Sequence, residues 1–253
     1  MAGYLIEVEN LITKYGEKVV HDGLNMKIER NQIYALIGES GSGKSTLLRE
    51  LLLLRDIDGG TIKFEGKDLT KLSEKEKQKI REKMAVLFQS AAMFSSLTVG
   101  ENIVYAIKKK YKIDDKLSKE MAILKLQLAG LKPEVYWLYP YQLSGGMRKK
   151  AGLARALATD PKIIFLDEPI SGLDPISSDD FDITIKNLVK SLDITVFMIT
   201  HDVASLLFAD KIGVLADKKI IYEGNLEGLK YVDNKWVKEF INSFRVRRLI
   251  SGK

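Results

Sequence analysis

Apolar and polar residues alternate at the start of the chain, in "YLIEVENLI", as they do in a strand with one buried face. "LNMKIE" is a second extended stretch and leads into a short turn at Arg30-Asn31. The alternation then gives way to "QIYALIG", a short apolar run rich in β-formers and ended by Gly, which predicts a buried strand. "KSTLLRELLLL" has helical spacing, and "ELLLLR" within it, short and bounded by charges, predicts the middle of a buried helix. "GGTIKFEGKDL" predicts a hairpin on glycine turns. From about Ser90 to Asp160 the chain is helix-biased and lacks strand signals. "KIIFLDEP" and "ITVFMITHD" are continuous apolar runs, expected of parallel strands covered on both faces, and "KIGVLADKKIIYEG" predicts a terminal hairpin. The order predicts an α/β sheet interrupted by a helical insertion, with a short helical tail and no internal repeat.

Composition narrows this picture only a little. The 253 residues suffice for one large domain or two associated lobes, and 45% hydrophobic with 29% charged residues fits a soluble globular chain. There is no cysteine, so disulfides and thiolate metal sites are excluded. No apolar run approaches the length that spans a bilayer. The opening residues reach Glu7 and Glu9 at once, unlike a signal peptide. The net charge of +6 leaves 34 acids against 40 bases, with lysines scattered, which favours a solvated surface over one built for nucleic acid or an anionic membrane.

Chemistry enters at "GESGSGKS", Gly38 to Ser45, which matches the phosphate-loop pattern G-x-x-x-x-G-K-[ST] between a predicted strand and a predicted helix. Glycines let backbone N–H groups turn toward an anion, and the helix N-terminus adds positive potential. Gly38, Ser40, Gly41, Ser42, Gly43, Lys44, Ser45 and Thr46 are therefore candidate nucleotide-binding residues. Lys44 is placed to reach the β- and γ-phosphates and Ser45 to hold Mg²⁺. "IIFLDEP" delivers Asp167 and Glu168 at the C-terminal end of a strand, where α/β sheets bind ligands. Asp167 is then a Mg²⁺ ligand and Glu168 the group that polarises the attacking water. Gln89, ending the strand in "VLFQS", is a candidate Mg²⁺ ligand that also orients water. His201, after the strand in "ITVFMITHD", is a candidate γ-phosphate contact. "LSGGM", Leu143 to Met147, carries no acid, base or metal ligand, and by itself reads as a loop and a helix N-cap.

Phosphate loop, Gln89, "LSGGM", "LDEP", "SGLD" and His201, in that order and spacing, resemble the nucleotide-binding subunit of ABC transporters over roughly residues 4 to 228. The resemblance implies a P-loop NTPase sheet core of ABC-ATPase type, with an N-terminal antiparallel β part and a helical subdomain insertion. It implies ATP and Mg²⁺, and a homodimer packed head to tail. In that arrangement Ser144, Gly145 and Gly146 meet the γ-phosphate held by the other copy, and Tyr15 stacks on adenine. "REKMAVLFQSAAMFSSLTVGENI", Met147 in place of the more usual Gln, and "LADKKI" resemble the Mla-type, MCE-linked phospholipid transporter ATPases. That likeness implies an Mla-type permease, an MCE-domain substrate-binding protein, a small STAS-type regulatory subunit, and a peripheral place on the cytoplasmic face of the bacterial inner membrane. Amino-acid and lipoprotein transporters share many of these blocks. A soluble nucleic-acid-acting ABC ATPase has only the basic charge in its favour.

On this reading 1–253 is a single ABC ATPase domain: 1–89 and 161–228 the nucleotide-binding core, 90–160 the helical signature subdomain, and 229–253 a helical tail. Met93, Phe94, Leu97 and Val99 form an apolar set expected to dock a permease. In the tail, Trp236, Phe240 and Phe244 recur every four residues beside Val237 and Ile241, one stripe of an amphipathic helix, before the basic cluster Arg245, Arg247, Arg248 and Lys253. Its expected use is packing within the dimer rather than on anionic lipid.

Overall fold

The computed structural model describes residues 3–243; Phe244 and the basic cluster of the tail lie outside the described residues. The chain folds as two units, Met1–Arg81 with Thr195–Lys253, and Glu82–Ile194.

The first unit contains an antiparallel sheet. β1 (Ile6–Tyr15) pairs with β2 (Lys18–Ile28) on one side and β4 (Gly59–Phe64) on the other, and β4 pairs with β5 (Lys67–Asp68). Alternation in β1 buries Ile6 and Val8, slips by one residue at the irregularity around Asn10, and resumes at Leu11 and Thr13. In the same unit β3 (Ile33–Ile37), buried along its whole length, pairs in parallel with β8 (Thr195–Ile199) and with β9 (Lys211–Ala216). β9 turns back into antiparallel β10 (Lys219–Gly224) through Asp217-Lys218, both with left-handed backbones (φ 48° and 66°), as a two-residue hairpin of type I′ requires. α1 (Lys44–Leu51), α2 (Glu74–Arg81) and α7 (Lys235–Asn242) complete the unit.

The second unit pairs β6 (Met84–Leu87) in parallel with β7 (Ile163–Asp167). Between these strands run α3 (Val99–Lys110), α4 (Asp115–Leu128) and α5 (Gly145–Leu157), followed after β7 by α6 (Pro175–Leu192). The expected helical insertion is thus present, with no strand between Ser90 and Asp160. α3 begins on a capping box: the Thr98 hydroxyl accepts from Glu101 N–H, and the Glu101 carboxylate from Thr98 N–H.

Two expectations are corrected. "ELLLLR" is not the middle of a helix. α1 stops at Leu51, Leu53 adopts a left-handed φ of 57°, and Leu54 is 62% exposed. Leu54 N–H reaches Arg49 O and Leu53 N–H reaches Glu50 O, a Schellman closure built on Leu in place of Gly. Val99 is fully buried, so it belongs to the core of the helical region rather than to a docking surface; Phe94 is exposed and meets Tyr105 edge to face at 5.4 Å.

Candidate functional site

In the first unit, β3 delivers the chain into the loop Gly38 to Gly43, and Gly43 (φ 109°) is the N-cap of α1. Glycine is needed for space as well as for φ. A Cβ on Gly38 would lie 2.3 Å from Leu215 O, and one on Gly43 2.6 Å from His21 Nε2. The Lys44 amine is buried and donates to Gly38 O (2.8 Å) and Glu39 O (2.9 Å), tying the loop into a ring. Ser42 Oγ is buried without a hydrogen-bond partner inside that ring. A donor-rich cradle with an orphaned hydroxyl and a movable cation fits a polyphosphate. A cleft of about 560 Å³ opens beside it, lined among others by Val20, Ser40, Gly41, Ser42 and, from α7, Trp236. Ser45 is exposed and Thr46 half-buried on the first turn of α1. Tyr15, 44% exposed at the end of β1, has the Arg55 guanidinium 3.9 Å from its ring centre. His201 is exposed just beyond β8, where the Asp202 carboxylate accepts from Ala204 and Ser205 N–H and fixes the following turn.

In the second unit, four buried residues of β7 lead to half-buried Asp167 and Glu168. Glu168 takes a left-handed backbone, φ 46°. A non-glycine residue there is strained, and such strain is held where a side chain must be aimed. Lys149 of α5 does part of the holding: its buried amine donates to Gln89 O (2.6 Å) and to Glu168 O (3.3 Å). Burial pulls this amine below the usual lysine value, against the opposing pull of the Glu168 and Asp167 charges. Gln89 is exposed, and its amide donates to Ser171 Oγ at 3.2 Å. Beyond it, Ala91 (φ 58°) and Ala92 (φ 43°) are also left-handed, and Arg155 of α5 donates to both carbonyls. α5 therefore holds the Gln89 segment at two points and the Glu168 turn at one. Lys149 and Arg155 were not among the candidates read from the sequence.

Ser144 is the N-cap of α5; its exposed hydroxyl accepts from Met147 N–H at 3.2 Å, so the plain cap reading of "LSGGM" holds. Gly145 and Gly146 form the first turn. A Cβ on Gly146 would come within 3.1 Å of Ser177, so the pair lets the starts of α5 and α6 approach closely. α6 is capped by Asp174, whose carboxyl is held below the usual range by hydrogen bonds from the Ser177 hydroxyl and backbone. An exposed helix N-terminus without a Cβ at its first two positions can bring its N–H groups close to an anion. Ser45 in the first unit offers a hydroxyl oxygen, and Gln89 and Asp167 in the second offer an amide and a carboxylate oxygen, each a hard donor of the kind that suits Mg²⁺.

A family profile described as "ABC transporter" matches residues 21–171. The intermembrane phospholipid transport system ATP-binding protein MlaF of Haemophilus influenzae is 38% identical over 238 residues, 94% of this chain and 90% of that protein. The "probable ribonucleotide transport ATP-binding protein mkl" of Mycobacterium leprae is 35% identical over 245 residues, 96% of this chain and 70% of that protein. Among solved structures, a dimeric ATP-binding cassette in a post-hydrolysis state, bound to ADP and phosphate, superposes with a TM-score of 0.79 at 29% identity, over 87% of this chain and 98% of that one.

Proposed function

The chain belongs to the ABC transporter family as an ATP-binding, ATP-hydrolysing subunit, and from that premise we propose that two copies close head to tail on ATP and drive an Mla-type permease that moves phospholipid. The observation that carries the ATP part is the phosphate loop, with its ringed Lys44 amine and orphaned Ser42 hydroxyl. On binding, Lys44 exchanges the Gly38 and Glu39 carbonyls for phosphate oxygens. Tyr15 stacks on the base. Ser45, Gln89 and Asp167 would hold magnesium, which when bound would neutralise charge on the phosphates. Glu168, aimed by its strained backbone, accepts a hydrogen bond from the attacking water and takes its proton. His201 donates to the γ-phosphate. Ser144, Gly145 and Gly146 meet the γ-phosphate of the second copy, so the loop needs no acid or base and works by closing the dimer.

The lipid part is supported by the likeness to MlaF, which is named for phospholipid transport. On the same reading the further partners are an MCE-domain substrate-binding protein and a small STAS-type regulator, and the chain sits peripherally on the cytoplasmic face of the inner membrane. No helix among the described residues is long and apolar enough to cross a membrane.

Glu168→Gln should keep ATP binding, stop turnover and trap a nucleotide-bound dimer on size exclusion. Turnover at the parental rate would remove Glu168 from its role. The lipid reading is tested by purifying the chain with its membrane partner and identifying bound lipid by mass spectrometry. Recovery of an amino-acid or lipoprotein permease in its place overturns that part and leaves the ATPase standing.

A further inference from the structure

A polar cluster lies buried behind the phosphate loop, and nothing in the hydrolysis chemistry uses it. Thr13 on β1 and His21 on β2 are register partners, and with Glu50, in the last turn of α1, all three are fully buried. The Thr13 hydroxyl donates to Glu50 Oε1 at 2.7 Å and lies 2.8 Å from His21 Nδ1; Glu50 Oε2 stands 3.4 Å from the same nitrogen. A hydroxyl has one hydrogen, and Thr13 gives its to Glu50. Thr13 therefore accepts from His21, and the proton sits on Nδ1. The other ring nitrogen, Nε2, is buried without a hydrogen-bond partner and packs on Gly43 of the phosphate loop.

The cluster continues toward the opposite end of the nucleotide site. Arg55 places Nε 3.7 Å from Glu50 Oε1, donates to Lys14 O at 2.5 Å, pairs with Asp58 at 3.5 Å and stacks on Tyr15 at 3.9 Å. Asp58 accepts from Lys14 N–H at 2.7 Å, so both polar groups of the Lys14 backbone are gripped next to Tyr15. The Schellman closure at Leu53 brings Arg55 back from α1 to this position. Of the five buried side-chain polar atoms without a hydrogen-bond partner among the described residues, three belong to this cluster and a fourth is Ser42 Oγ of the phosphate loop. Such under-satisfied groups are costly, and stability alone would favour apolar replacements.

We propose that Thr13, His21 and Glu50 are positioning residues that fix the distance between the Tyr15 ring and the phosphate loop, so that the base and phosphates of one nucleotide are gripped together. The proposal rests on the roles given above to Tyr15 and Lys44. It predicts that the cluster contributes to ligands that span both ends of the site and little to ligands that occupy only the phosphate end.

The test is calorimetric binding of ATP and of inorganic tripolyphosphate to the full chain without magnesium, beside steady-state kinetics and thermal midpoints. Thr13→Val removes the shared hydroxyl and keeps the shape. It should weaken ATP about tenfold, the scale of one buried hydrogen bond, while tripolyphosphate changes less than about twofold and kcat at saturating ATP stays within about twofold. Tyr15→Ala should weaken ATP similarly, with Thr13→Val adding little on top of it. His21→Phe keeps a ring against Gly43 and should behave as Thr13→Val, whereas His21→Asn, which restores a donor near Nδ1, should recover most of the ATP affinity. That pair decides the matter if Thr13→Val fails to fold. Equal losses for both ligands, or parental ATP affinity with only a lowered melting temperature, overturn the proposal. Lys44→Ala should weaken both ligands; if it does not, the reading of the site itself fails, whatever the cluster does.

Discussion

Glu168 and Lys149 show how a strained residue is kept in place. The left-handed turn at Glu168 costs on the order of 1–3 kcal/mol, and it persists because the surroundings over-determine it. The Lys149 amine is one of those surroundings, and it also holds Gln89. Lys149→Met keeps the length and apolar stem but removes both bonds. We expect kcat to fall about tenfold or more, the scale of a lost buried charged hydrogen bond, while ATP affinity without magnesium stays within about twofold. Equal losses in both would place Lys149 in binding rather than in aiming Glu168. Spacing made the phosphate loop, Asp167, Glu168 and Gln89 candidates in the sequence, and the family resemblance added Ser144. Spacing could not single out Lys149, because a lysine aimed at two carbonyls has the same neighbours along the chain as one aimed at solvent. His21 was not among the candidates, since its partners Thr13 and Glu50 are set by tertiary packing.

At the scale of elements, the runs "QIYALIG", "KIIFLDEP" and "ITVFMITHD" became β3, β7 and β8 because continuous burial leaves an unambiguous apolar signal. α6 was hidden: its polar start was read for chemistry, although Asp174 as cap and Pro175 at the first helical position are sound helix signals. Val99 was misjudged because an apolar residue on an amphipathic helix reads alike whether it meets core or partner. Asn102 was also missed; fully buried, it bonds to the backbone of Phe94, Leu97 and Thr98 and shapes the approach to α3. Farther along, Tyr111 after α3 donates to Asp160 after α5 at 2.8 Å, and Lys125 of α4 pairs with the same carboxylate. Burial first, then Asp160, pushes the Tyr111 phenol from 10.0 up to about 12. The folded chain thus favours the neutral phenol. Its contribution is whole below about pH 10 and is lost as pH rises toward about 12. Tyr111→Phe should therefore destabilise the chain at pH 8, and the gap from the parent should shrink in melts between pH 10 and 12; a constant gap would show that folding does not raise the phenol. At the other end of the chain, α7 buries Val237 fully and stacks Trp236 on Phe240 at 5.2 Å. Deletion from Asn234 onward should lower the melting temperature by about 5 °C, from the apolar area exposed. An unshifted melt, joined to loss of binding to anionic vesicles, would give the tail to the membrane.

For the whole molecule, the proposal divides one reaction between two copies, and mixing separates the shares. Ser144→Arg blocks the signature loop and Lys44→Ala disables the phosphate loop, so each chain alone should be nearly inactive. A heterodimer of the two keeps one site with an intact loop from each, and hydrolysis should reappear in proportion to the heterodimers formed. A flat mixing series, with heterodimers shown by mass, would leave each copy working alone. The grip of α5 on the Gln89 segment has a consequence for descent as well. Lys149 and Arg155 hold carbonyl oxygens, and every residue has one. Gln89 is constrained by its own role and Ala91 by full burial, but the path is set through carbonyls, which leaves the exposed side chains of Ser90 and Ala92 freer to vary. Those side chains can drift over generations, and a lineage can refit this segment to a new membrane partner while inheriting its course unchanged.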